Sequence, residues 1–193
     1  MEPIPDFNLM DITPTIRVNV INQFNQNDFA VISKANQDDM PKNWQCNWTE
    51  LFAGLEEEYY EGMLKIEHRS SLLGLVKFAL YPDPPEQVEF VEILNLEAVS
   101  RSYRSANPIG QWLVWYVCHL AIQYCPHGSA TQILFLTSVH DAFEYYRDII
   151  KMEYISESSL GPGEDGYVFR FKRQDAIQFC NILEELYGSP TLL

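Results

Sequence analysis

The sequence predicts one mixed α/β domain, an α/β fold whose central mixed β-sheet of about seven strands is flanked by helices. Three observations predict it. Strand-like and helix-like stretches follow one another in the order β-α-α-β-β-β-α-β-α-β-β-α. Residues 131–138, TQILFLTS, are almost continuously apolar, as in a strand buried on both faces. Between residues 88 and 138 a strand, a helix and a strand follow with short connections, which reads as a βαβ crossover. The expected organisation is a flexible N-terminal arm at 1–13, the main domain at 14–173, and a C-terminal helix at 174–193. That helix is expected to pack on the domain or lie at an interface.

The arm is acidic and punctuated by proline. TIRVNVI (15–21) alternates and is β-branched, so it predicts a strand. Asn27 or Asp28 is placed to cap a helix running to about Ala35. NQDDMPKNWQCNW reads as a loop. Asn47, with Glu50 three residues on, resembles a capping box starting a second helix that ends near Glu58. EGMLKIEHR and SLLGLVKFALYP predict two strands joined at 69–71 as a hairpin.

VEFVEILNLEAVS (88–100) predicts a long strand carrying Glu89, Glu92 and Glu97. Strict alternation puts Glu89 and Glu97 on one face and Glu92 on the other, unless a bulge intervenes. The helix that follows runs to about Tyr124, with Ile109, Leu113, Tyr116, Val117, Leu120 and Tyr124 on one stripe, and Pro126-His127-Gly128 stops it. Residues 141–150 predict another helix. MEYIS and YVFRFKR predict strands separated by the loop SSLGPGEDG. The last helix, 174–187, places Ala176, Ile177, Cys180, Leu183 and Leu186 on one face.

Composition narrows the function. A hydrophobic fraction of 47% with 13% aromatics excludes a disordered chain. No apolar run approaches the ~18 residues that suggest a membrane span, and no basic segment precedes an apolar one at the N-terminus. The expectation is a cytoplasmic protein with no membrane partner. A net charge of −14 opposes nucleic-acid binding, which draws on Lys and Arg against phosphates, and favours a cationic partner. The four cysteines, Cys46, Cys118, Cys125 and Cys180, are scattered without a CxxC, so they read as thiols and no metal site is expected.

One stretch stands apart from the acidic background. Arg101 stands just before YRSANPIGQWLVWY (103–116) and Arg104 at its front end, and no Lys or Arg follows until Arg147. A helix N-terminus offers unpaired N–H groups and partial positive charge, so a small-residue loop leading into it is a ready anion site. Ser105, Ala106 and Gly110 are small, and Pro108 suits the first helical turn.

With LEAVSRSYRSANPIGQWLV and ILFLTSVHDAFEYYRDIIKMEYI, and the order of elements over residues 15–172, the chain resembles the GCN5-related N-acetyltransferases, the acyl-CoA-dependent GNAT superfamily. The resemblance implies acetyl-CoA as co-substrate and no metal. It implies that the main chain near Ala98 and Val99 pairs with the pantetheine arm. The loop residues Arg104, Ser105, Ala106, Asn107, Ile109 and Gly110 would cradle the pyrophosphate. Ala142, Tyr145 and Tyr146 fall on the second motif, with Tyr146 as the acid that protonates the leaving thiolate and Tyr145 as a packing residue. Main-chain N–H groups near Val99 would polarise the thioester carbonyl, and Glu92 or Glu97, directly or through water, would take the amine proton. Glu56, Glu57, Glu58 and Glu61 would wall the acceptor pocket or form a solvated charge run.

The implied function is transfer of acetyl from acetyl-CoA to a primary amine by direct attack. The acceptor would be a small molecule or peptide, a cationic one suiting the charge, and the protein a monomer or homodimer. The sequence departs from the family pattern in four places. The family's loop glycines fall on Asn107 and Ile109, its asparagine ahead of the second motif on Val139, and no glycine stands near Ile150-Lys151. These departures define the alternative expectation, a catalytically degenerate GNAT-fold module that binds acyl-CoA or serves regulation or interaction.

Overall fold

The computed structural model describes residues 13–55, 61–81, 88–125 and 132–193. Ten strands form one sheet, three more than the sequence predicts. They are β1 (Ile16–Asn22), β2 (Asn27–Lys34), β3 (Glu61–His68), β4 (Ser71–Tyr81), β5 (Phe90–Ala98), β6 (Ala106–Asn107), β7 (Gln132–Val139), β8 (Glu153–Gly161), β9 (Glu164–Lys172) and β10 (Thr191–Leu192). The order across the sheet is β10-β1-β2-β3-β4-β5-β7-β9-β8, with β6 paired to β1 off that path. Every pairing is antiparallel except β5 with β7. The three principal helices are α1 (Trp48–Ala53), α2 (Gly110–Tyr124) and α3 (Arg173–Tyr187).

The segment expected as the first helix is β2. Turn chemistry at 22–26 decides this: the Asn22 side chain accepts from the Phe24 and Gln26 N–H groups, and Asn25 takes a left-handed φ of 57°. The chain therefore reverses, and Ala30 and Ile32 alternate into the core. The second expected helix shortens to α1, capped by Asn47 on the Glu50 N–H, and the stretch 56–60 lies outside the described residues. The 69–70 connection is a tight hairpin turn with left-handed φ at Arg69 and Ser70.

The helix expected at 141–150 is a 3₁₀ turn (His140–Ala142) followed by a π-helical turn (Tyr145–Ile150). Its end uses Lys151 in the left-handed conformation where the family has glycine. SSLGPGEDG is strand rather than loop for most of its length, turning at Pro162-Gly163.

One face of the sheet carries α2 and α3, and the other a smaller cluster of Trp48, Met63, Leu75, Met40 and Ala35 beside α1. The helix α2 is buried on nearly every side rather than on one stripe, because α3 covers its outer surface. The Trp115 indole donates to Glu184 at 3.1 Å, and Arg173 donates to the carbonyls of Ile122 and Cys125. Close approach of α2 to the sheet depends on Gly74. A Cβ there would meet Leu113 at 2.9 Å, Ile109 at 3.0 Å and Ile66 at 3.1 Å. Thr13, the last residue of the expected arm, is buried, and residues 1–12 and 126–131 lie outside the described residues.

Candidate active site

The only parallel contact among the described strands is short. Val91, Glu92 and Ile93 of β5 pair with Leu134, Phe135 and Leu136 of β7, and there the pairing stops. Both strands continue: β5 runs to Ala98 still paired to β4, and β7 to Val139 still paired to β9. The two strands thus part, leaving a wedge lined by main chain. The Val99 N–H donates to the Leu73 carbonyl at 2.9 Å, so it is committed to the sheet. Alternation of hydrogen-bonding direction along β5 then turns the N–H and C=O of Ala98 and Leu96 toward the wedge. The main-chain groups near Val99 that face the wedge are thus those of Ala98 and Leu96. On the other rim the Ser138 hydroxyl is buried and, among the described residues, has no hydrogen-bond partner.

A bulge stands where the strands part. Ile93 faces Phe78 while Asn95 faces Lys77, so Leu94 has no opposite number on β4. The extra residue inverts the alternation beyond it. Glu92 opposite Ala79, Asn95 opposite Lys77, and Glu97 opposite Leu75 therefore share one face, the face away from α2. Glu89 lies outside β5 and is exposed.

The two candidate bases differ in what already binds them. Glu97 accepts three N–H groups, from Gln45 at 2.7 Å, Cys46 at 3.0 Å and the Trp48 indole at 2.9 Å. Its carboxylate fastens the 45–48 loop to the sheet. Glu92 is half-buried, and burial raises its pKa above the ordinary carboxylate value, against a lowering hydrogen bond with Tyr81. A carboxylate so placed holds a proton more readily, as a base must.

Tyr146 is 6% exposed, packed on Phe169 and Tyr145. Burial, with a smaller contribution from Cys46, pushes its phenol well above its usual pKa, so it stays protonated through neutral pH. The Cys46 thiol is likewise raised, by burial and then by Glu97. Cys46, whose N–H donates to Glu97 at 3.0 Å, is thus the residue that stands between Glu97 and Tyr146. Beside them a cleft of about 420 Å³ is lined by Cys46, Asn47, Glu50, Leu51, Gly54, Lys77 and Asn95. Lys77 pairs with Glu61 at 2.7 Å, which places Glu61 next to the cleft and leaves Glu56, Glu57 and Glu58 outside the described residues. Cys46, Asn95 and Lys77 escape sequence reasoning because no motif contains them; only the bulge brings Asn95 to this face.

The loop ahead of α2 is tied down at several points. The Arg104 N–H reaches back to the Ser100 carbonyl, the Ser105 carbonyl accepts from the Gln23 N–H, and Ala106–Asn107 pair with Asn22 and Ile21 as β6. The Asn107–Pro108 peptide is cis. Neither Asn107 nor Ile109 has a positive φ, so this loop does not need the glycines it lacks. The Ala106 and Ile109 side chains are fully buried in the core. Gly110 is required for space: a Cβ would fall 2.6 Å from the Tyr145 hydroxyl, which covers the first turn of α2. Burial lowers the pKa of the Arg104 guanidinium; one of its nitrogens donates to Asn107 at 3.3 Å, and its Nε is buried with no partner among the described residues.

No family model matches the sequence, and no curated protein matches it. Solved structures do. RimJ of Mycobacterium smegmatis, solved in complex with CoA-disulfide, is similar with a TM-score of 0.61 over 93% of this chain and 97% of that one, at 10% identity. An aminoglycoside acetyltransferase AAC(6')-Ib, solved with coenzyme A and kanamycin, has a TM-score of 0.54 over 77% of this chain and 98% of its own, at 10% identity. The ribosomal-protein-S18-alanine N-acetyltransferase of Escherichia coli gives 0.52 over 74% and 93%, at 13% identity. The chain has the fold of the GCN5-related N-acetyltransferases.

Proposed function

We propose that this protein is an acyl-CoA-dependent N-acetyltransferase that passes an acetyl group from acetyl-CoA directly to a primary amine. The wedge between β5 and β7 carries the reading. It leaves the main-chain edge of Ala98 and Leu96 unpaired among the described strands, and a Cβ on Gly110, at the start of α2, would lie 3.9 Å from Leu96 and 2.6 Å from the hydroxyl of Tyr145, the ring neighbour of the buried Tyr146. That two similar structures hold coenzyme A derivatives supports the choice of donor.

The coenzyme would supply an activated thioester. The chain's own groups would do the rest. The outward N–H and C=O of Ala98 and Leu96 would pair with an extended arm as an added strand would. Arg104, Ser105 and the first turn of α2 would hold negative charge. An N–H of the β5 edge near Val99, that of Ala98, would stabilise the developing oxyanion. Tyr146, kept protonated by burial, would give its proton to the departing thiolate. Glu92 would take the amine proton, directly or through water, since Glu97 is occupied with the 45–48 loop. The cleft beside Asn95 and Glu50 would receive the amine, and its acidic surroundings suit a cationic acceptor.

Purified protein should gain thermal stability with millimolar acetyl-CoA, and should release thiol when offered amines. Tyr146→Phe should retain the thermal shift and lose about 10²-fold in thiol release. The Tyr145 hydroxyl over Gly110 favours the second reading, a module of this fold without turnover. Absence of any thermal shift would select that reading over the enzyme.

A further inference from the structure

A polar chain with a buried histidine at its centre runs from β2 to the loop ahead of α2. The His68 side chain is 2% exposed, and its Nδ1 lies 2.7 Å from the Ser105 hydroxyl. Its Nε2 lies 3.0 Å from Oδ2 of Asp28. Asp28 also accepts from Arg69 at 2.7 Å and from the Phe29 N–H at 2.9 Å. The His68 hydrogen bond, then the Phe29 N–H, hold the Asp28 carboxyl far below the usual range, so it is ionised at neutral pH.

Hydrogen counting follows from the chemistry of imidazole. An ionised Asp28 can only accept, so Nε2 of His68 carries a proton. A neutral His68 then has a bare Nδ1, which accepts the Ser105 O–H. In that state the Ser105 oxygen turns lone pairs outward, the wrong polarity for an anion. If His68 takes a second proton, Nδ1–H donates to Ser105, and the hydroxyl hydrogen is released to point at a ligand. Breaking the bond without protonation would leave a buried acceptor unpaired, which is unfavourable. Beside Ser105, the Nε of Arg104, without a partner among the described residues, is a second donor.

We propose that His68 is a positioning residue for the anion site, acting through Ser105, so that the coenzyme diphosphate binds together with one proton delivered to the His68–Ser105 pair. This rests on the coenzyme reading above and adds to it a residue outside both family motifs. The charged groups facing the imidazole are Asp28 from β2 and Arg69 at the end of β3, with Arg104 next to Ser105 in the loop. Arg69 and Arg104 are cationic and Asp28 is already ionised, so a proton taken up on binding has its place between Nδ1 of His68 and the Ser105 hydroxyl.

The test is calorimetric titration of the full chain with coenzyme A at pH 6, 7 and 8, in two buffers of different ionisation enthalpy. Protons taken up are read from the buffer dependence. The ligand's own phosphates titrate, so His68→Asn, whose amide overlies Nδ1, and Ser105→Ala serve as references. Wild type should take up a proton that both variants lack. Its affinity should fall about tenfold more than theirs between pH 6 and 8. Equal uptake and equal pH slopes in all three proteins would overturn the inference while leaving coenzyme binding intact. If no heat of coenzyme binding is found at any pH, the coenzyme reading fails and the proton linkage with it. Should His68→Asn not fold, Ser105→Ala alone carries the comparison, because its hydroxyl is the link to the ligand.

Discussion

Glu97→Gln tests whether this carboxylate is a fastening or a base. Oε1 accepts the Gln45 N–H at 2.7 Å, while Oε2 accepts the Cys46 N–H at 3.0 Å and the Trp48 indole at 2.9 Å. An amide keeps one acceptor oxygen. Its better orientation preserves the two bonds at Oε2 and points an NH₂ at the Gln45 N–H. One charge-assisted bond is lost, the other two weaken, and a donor faces a donor. Charge-assisted bonds contribute roughly 1.5–3 kcal/mol each, so the expected destabilisation is about 3 kcal/mol. With a urea dependence of about 3 kcal/mol/M, the midpoint should fall by roughly 1 M. Tryptophan fluorescence and far-ultraviolet circular dichroism should report the same shift. Trp48→Phe should couple to it by about 1–2 kcal/mol in a double-mutant cycle. A midpoint within about 0.2 M of wild type, with thiol release abolished, would show that Glu97 is the base and refute the assignment.

Three further outcomes are expected. Burial raises the Glu92 pKa, so the folded state holds that proton more tightly than the unfolded chain. The stability it contributes is present below the ordinary carboxylate value and lost as pH rises through the folded-state value. Glu92→Gln should therefore match or exceed wild-type stability at pH 8 while thiol release falls about 10²-fold; a destabilised, fully active variant contradicts both points. Gly110→Ala should lower the melting temperature by roughly 4 °C through its clash with the Tyr145 hydroxyl, and adding Tyr145→Phe should recover part of the loss, whereas identical melting of the single and double variants excludes that contact. Burial and Glu97 raise the Cys46 thiol, so iodoacetamide at pH 7.5 should modify it at least about tenfold more slowly than a free cysteine; rapid labelling would deny the burial.

The parts that local chemistry decides were readable in the residues. The hairpin at 69–70, the helix that follows the Pro108 turn and the apolar strand β7 (Gln132–Val139) all stand where the pattern puts them, within a residue or two. The 27–34 segment misleads because Asn and Asp ahead of an apolar run suit a helix cap as well as a hairpin turn. Its fate depends on which neighbour takes up its backbone groups, here β1 and β3. The bulge at Leu94 has no local mark, being a property of the β4–β5 pair, yet it decides which glutamates share a face. For the same reason the missing glycines overstated the loop's departure. Sequence shows that Ile109 lacks a glycine's freedom, but not that its side chain points into the core, away from the exposed side of the loop.

The brevity of the β5–β7 contact has a mechanical side. Three residue pairs are the whole hydrogen-bonded seam between a seven-strand leaf, β1 to β6 with β10, and a three-strand leaf of β7, β9 and β8. The chain crosses that seam twice, through α2 on the way out and α3 on the way back to β10. Both helices pack in the same core on the same face. The molecule is bound like a book, with its spine on the helical side and the cleft of Lys77 and Asn95 on the other. Changes in α2 should then be felt by both leaves.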